Sequence, residues 1–218
     1  KDAAVGVVLF SIFIYFGLTN MPWLPLIFIY GLIGYRIGGF KLSLTIIASF
    51  MFITFTGVLP QALLSIYLCG IAVIISFILG ASLGIWAAHN DKVSAFMRPI
   101  NDTMQTMPSF VILIPFVMFF GIGEFTALLA IIAYAFVPAM RYTEHGLRNL
   151  PETVIEAARM IGCSQAQLLW KVKIPLAMPV IMLGLNQTIM FGLAMLVIAA
   201  LVGTTGLGQL IYIGLSKA

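Results

Sequence analysis

Apolar residues in this chain run in long stretches separated by short polar segments, without the alternation of a barrel strand. The stretches are Ala3 to Leu18, Trp23 to Tyr35, Leu42 to Leu59, Ala62 to Ala88, Phe110 to Phe120, Phe125 to Met140 and Leu176 to Leu201. Apolar runs near 20 residues suit the hydrocarbon core of a bilayer, and a helix satisfies its backbone polar groups internally there. The pattern therefore predicts an all-α integral membrane protein, a polytopic helical bundle of about 6–7 spans. Residues 1–59 form the N-terminal spans and residues 60–218 a core with one long polar loop at 141–175. Lys1 precedes an apolar run with no small-residue cleavage site after it, so that run reads as a retained first span. Only a short tail, Gly203 to Ala218, follows the last long stretch, which leaves a returning span to be looked for.

Composition hardens this picture. The chain is 62% hydrophobic and 8% charged, whereas a soluble domain is about a quarter charged, so lipid must cover much of the surface. The net charge of +4 would suggest nucleic acid in a soluble protein, but here the basic residues lie between apolar runs. Arg36 and Lys41, Lys92 and Arg98, and the group from Arg141 to Lys173 fall at alternate ends of the stretches, which assigns those ends to the cytoplasm. Lys1 falls on the same side, and Lys217 is the exception. A multi-pass membrane protein follows, with lipid and not nucleic acid as its surroundings. Cys69 and Cys163 lack metal-ligand spacing and read as packing residues.

Candidate chemistry is sparse. No ionisable residue lies in the middle of a stretch, as an ion-coupled carrier would usually require. No Gly-Lys pair exists, so there is no phosphate-cradling loop and no expectation of a catalytic, cofactor or metal site in this chain. The glycine-rich GTTGLG, Gly203 to Gly208, lacks the lysine and reads as turns and a helix break. His89 and His145 read as surface histidines of the polar loops.

The segment Arg141 to Pro175 is the informative one and reads as two short helices. Pro151 and Glu152 suit a first helical turn, and Val154, Ala157, Ala158 and Ile161 give one buried stripe. Gly162 ends that helix, and Ser164 with Gln167 has capping-box spacing for a second one carrying Leu168, Leu169 and Val172 on its apolar side. Pro175 then opens the next span. A solvated loop with local helices would explain this pattern; so would a stiff element that takes force from a soluble partner.

The run EAARMIGCSQAQLLWKVKIPLAMP, Glu156 to Pro179, resembles the EAA loop of binding-protein-dependent ABC importer permeases. Met97 to Glu124 and Pro175 to Gln209 resemble the glycine betaine/proline branch of that family, whereas the usual final span after the glycine-rich tail is lacking. The resemblance implies a type I importer permease for a small osmolyte such as glycine betaine, proline or choline. It implies that Glu156, Ala157, Ala158, Gly162, Leu169, Ile174 and Pro175 couple the spans to a cytoplasmic ATP-binding subunit, which would carry the ATP and magnesium. A second permease copy, as a homodimer, and an external substrate-binding protein or domain are the other implied partners. The alternative is a self-contained channel or secondary carrier.

Two intramembrane features remain. Asn186, Gln187 and Thr188, with Met190 beside them, either line a substrate pathway or bond a neighbouring helix. Gly80, Gly84 and Ala88, four residues apart, form a small-residue contact face, within one subunit or between two.

Overall fold

The computed structural model describes residues 23–204 and 206–217, so the expected span Ala3 to Leu18 lies outside the described residues. Among those residues the chain is helical with no strand, as the apolar pattern predicts. Contacts divide the described chain into two units, one drawn from Lys1–Leu68 and Thr204–Ala218, the other Cys69–Gly203.

In the first unit, α1 (Trp23–Phe55) contains two residues off helical geometry, Gly38 and Gly39. Gly39 has φ 72° and ψ −165°, a conformation that excludes side chains bearing a Cβ. The chain reverses there. The Ser43 hydroxyl donates to the Gly31 carbonyl at 2.8 Å, and the rings of Tyr30 and Phe50 stack with centroids 5.1 Å apart. The expected stretches Trp23 to Tyr35 and Leu42 to Leu59 are thus two arms of one hairpin, the second ending at Phe55. Most of their large apolar side chains are exposed, as suits lipid. Helix α2 (Leu59–His89) begins in this unit and continues into the second. Ser65 of α2 accepts from the backbone N–H of Leu207, the first residue of the last helix, Leu207–Lys217.

The second unit holds the rest of α2, then α3 (Asp91–Thr106), α4 (Ser109–Phe120), α5 (Glu124–Arg148), α6 (Glu152–Met160) and α7 (Gln165–Ala199); the last helix of the chain is α8. Helix α3 is amphipathic and was hidden in sequence inside a polar connection. Asn90 caps it by accepting from the amides of Lys92 and Val93. It stops at Met107, held extended by the following Pro108, and α4 leaves at a bend of 100°. With 12 residues, α4 is about 18 Å long, short of a bilayer core of roughly 30 Å.

Among the described residues α2, α5 and α7 are each long and apolar enough to cross a membrane as one helix, α1 has that length only as a hairpin of two arms, and the bent pair α3 and α4 adds one more if taken as one broken span. The lower count relative to the expected 6–7 has two sources. Two expected stretches share the hairpin α1, and the first stretch lies outside the described residues.

The core of the second unit is α5, packed between α2 and α7. Helices α2 and α5 run parallel with a four-residue beat: the Ser76 hydroxyl donates to the Ile132 carbonyl, Gly80 lies over the Phe136 carbonyl, and Gly84 lies over the Met140 carbonyl. The small-residue face therefore makes its contact within one subunit. Helix α7 runs antiparallel to α5, with Gly146 against Val180, Gly184 against Tyr142, and the rings of Tyr134 and Phe191 5.1 Å apart.

Candidate docking loop and its anchorage

The loop between α5 and α7 is shorter than Arg141 to Pro175 suggested. Helix α5 runs on to Arg148, so Arg141, Glu144 and His145 sit on its last turns and not in a loop. At the other end α7 has no break at Pro175, which corrects the expectation that a separate second helix precedes the span. Gln165 to Ala199 is continuous through a π-helical turn, Leu168–Lys173, in which the Ile174 N–H reaches the Leu169 carbonyl. In a regular α-helix the Pro175 ring would meet the carbonyl four residues earlier; the widened turn before it gives the ring room.

Within these limits the local chemistry matches the sequence closely. Pro151 stands just before α6 and Glu152 opens it. Gly162, at φ 87°, ends it with the two bonds of a Schellman motif: Cys163 N–H to the Ala158 carbonyl at 3.2 Å and Gly162 N–H to the Arg159 carbonyl at 2.9 Å. Only glycine takes that φ without strain. Two residues on, Ser164 and Gln167 form the reciprocal capping box, with bonds of 2.9 and 3.3 Å. The turn between the two helices is thus fixed from both sides. Replacing Ser164 with alanine should cost about 1 kcal/mol and speed amide exchange at Gln167, measured by hydrogen exchange.

The buried stripe is not there. Of Val154, Ala157, Ala158 and Ile161, only Ala158 is buried, at 8% exposure. Ile161 is 84% exposed and the neighbouring Met160 90%, with Trp170 at 65% on the next helix. A nine-residue helix closed at its end by the Gly162 turn has too few neighbours in this chain to cover a second face. Helical periodicity located the stripe without revealing which way it turns.

The remaining sequence-predicted residues divide. Glu156 and Ala157 are exposed with the apolar patch, as are Gly162 and Pro175. Leu169 is half-buried, and Ile174 packs on the cluster of Leu147, Ala177 and Ile181 that anchors α7 to α5. Asn186, Gln187, Thr188 and Met190 are not brought together. Thr188 is fully buried and its hydroxyl donates to the Gly184 carbonyl of its own helix at 2.8 Å, while Asn186 and Met190 are exposed.

Sequence reasoning missed the polar cluster above the loop. Arg98, Asn101 and Asp102 of α3 and Arg141, Glu144, His145 and Arg148 of α5 line a cavity of about 450 Å³ together with Asn149. Arg141 pairs with Asp102, and Arg148 with Asp91 and Glu144. The signal that could have found it is amphipathicity in Asp91–Thr106, which pairs a polar face with a second polar face on α5. Among the described residues no group of acidic, His and Cys side chains is placed to hold a metal ion.

A family model described as the inner membrane component of binding-protein-dependent transport systems matches residues 80–217, which takes in this whole arrangement. The chain belongs to that family. As an inner membrane component it is a multi-pass membrane protein of a transport system. It is 38% identical over 200 residues to the glycine betaine/proline betaine transport system permease protein ProW of Escherichia coli, an alignment covering 92% of this chain and 56% of that one. It is 44% identical over 183 residues to the trimethylamine N-oxide transport system permease protein TmoV of Pelagibacter ubique, covering 84% and 26%. With the glycine betaine transport system permease protein OpuAB of Bacillus subtilis it shares 38% over 196 residues, covering 90% and 70%. The chain thus spans little more than half of the first of these relatives and about a quarter of the second. A solved amino acid ABC transporter with histidines has the same fold, with a TM-score of 0.63 over 76% of this chain and 81% of that one at 18% identity.

Proposed function

We propose that this inner membrane component is the permease subunit of an ATP-driven importer for a small methylated-nitrogen osmolyte, with residues 152–170 receiving a separate cytoplasmic ATPase. The observation that carries the reading is the loop itself: a turn locked by a Schellman motif and a capping box, with Met160, Ile161 and Trp170 uncovered beside Glu156. A stiff element fastened to α5 and α7 transmits displacement, and the exposed Met160 and Ile161 at the end of the short polar helix α6 call for a covering partner. Basic residues flanking the loop put it on the cytoplasmic side.

The substrate class follows from chemistry shared by the relatives' named solutes. Glycine betaine, proline betaine and trimethylamine N-oxide each carry a methylated nitrogen and a balancing negative oxygen. ATP and magnesium belong to the partner in this reading. Two permease copies, forming a homodimer, would place two such loops on two ATPase subunits, and an external binding protein or domain would deliver the solute. Residues 60–218 act as the working core, with Asn186, Gln187, Thr188 and Met190 the first positions to examine along its pathway.

Reconstitution in vesicles with the ATPase tests this. Glycine betaine or trimethylamine N-oxide, presented with the binding protein, should raise ATP hydrolysis several-fold, and an unrelated sugar should not. Solute uptake in vesicles that contain no ATPase would overturn the proposal in favour of a channel or carrier.

A further inference from the structure

Arg148 is the last residue of α5, and the docking loop begins at the next one. Its guanidinium reaches three elements at once. One nitrogen pairs with Asp91 at the start of α3 at 2.8 Å, another with Glu144 on its own helix at 3.0 Å, and the third donates to the Ala87 carbonyl at the end of α2 at 2.6 Å. Glu144 also accepts from the hydroxyl of Ser94, which is buried against α5. Between α2 and α3 stands a single non-helical residue, Asn90, with extended backbone. Arg148 thus grips both sides of a one-residue joint.

Electrostatics favours this placement at each contact. The cation meets the carbonyl end of α2, where the helix dipole is negative, and Asp91 stands in the first turn of α3, where it is positive. A planar guanidinium presents donors in a rigid fork; an ammonium is a single point charge and cannot hold three separated acceptors in the same geometry.

We infer that Arg148 is a positioning residue for transport. It carries displacement of the docking loop into the Asn90 joint, so that α2 and α3 change their mutual angle when the loop is moved. The polar cavity lined by Arg98, Asn101 and Asp102 lies against the same α3 face, so a change at the joint alters that cavity as well. This inference rests on the docking reading above.

The test uses the full-length protein with its ATPase and binding protein in vesicles, as wild type, Arg148→Lys and Asp91→Asn. The measurements are ATPase retained on purification, ATP hydrolysed, solute moved per ATP, and thermal midpoint. Arg148→Lys should retain the ATPase and its hydrolysis while solute moved per ATP falls about tenfold, roughly the worth of one charge-assisted bond. Asp91→Asn should lower the same ratio about threefold with no change in midpoint, because the Asp91 side chain is 91% exposed and such pairs add little to stability. A ratio unchanged in both variants, or a fall matched by loss of folded protein, would overturn the inference. Wild-type protein that retains no ATPase would instead overturn the docking reading and take this inference with it.

Discussion

Valine at Gly84 should prevent α2 from seating on α5, lowering the yield of folded protein sharply and the thermal midpoint of what remains. A Cβ at Gly84 would stand 2.6 Å from the Met140 carbonyl oxygen and 2.8 Å from Thr143 Cβ; at Gly80 it would stand 2.5 Å from the Phe136 carbonyl oxygen. The obstacle in both cases includes backbone, which cannot swing aside as a side chain would. Overpacking a close contact costs about 1–3 kcal/mol, and here the helices must also part along the turns that follow. Alanine at either glycine should fall at the lower end and the double valine variant should not fold. Gly70 supplies the control, since a Cβ there meets nothing within 4 Å, so Gly70→Ala should leave the midpoint nearly unchanged. Thermal denaturation in detergent, followed by circular dichroism or tryptophan fluorescence, measures each variant. Equal effects at Gly70 and Gly84 would argue against the packing explanation.

The second large effect lies on the docking loop. Aspartate at both Met160 and Ile161 should abolish retention of the ATPase on purification while leaving the isolated chain as stable as before. These side chains are almost wholly exposed, so no intrachain packing is lost when they change. Covering each with a partner is worth about 1.5–3 kcal/mol, and a buried unpaired carboxylate in its place is more costly still. Affinity should therefore fall by at least about a hundredfold. Measuring chain stability and ATPase retention on the same preparations separates docking from folding. Retention unchanged by the double substitution would move the docking surface elsewhere.

These two sites mark the boundary of what the sequence discloses. At the loop, nearly every feature fixed by near neighbours was legible: Pro151 before its helix, Gly162 after it, Ser164 reaching Gln167. Such bonds join residues three to five apart, and the residue types name the geometry. The direction of the apolar face was not legible, because periodicity gives spacing and not what stands opposite. The π-turn before Pro175 lies between these cases. Proline announces a disturbance, and where a break is expected the helix widens and continues.

The sequence by itself determined a membrane protein of helices, the basic ends that orient it, and a doubly capped loop, because burial in lipid and local hydrogen bonding act on each stretch separately. Tertiary structure decided that Gly80 and Gly84 serve α5 of the same chain, that Gly39 folds α1 back on itself, and that Arg148 joins α5 to residues 57 and 61 positions earlier. Those outcomes depend on which surfaces meet across long separations, and a small side chain or a lone charge fits many partners until the packed helices select one.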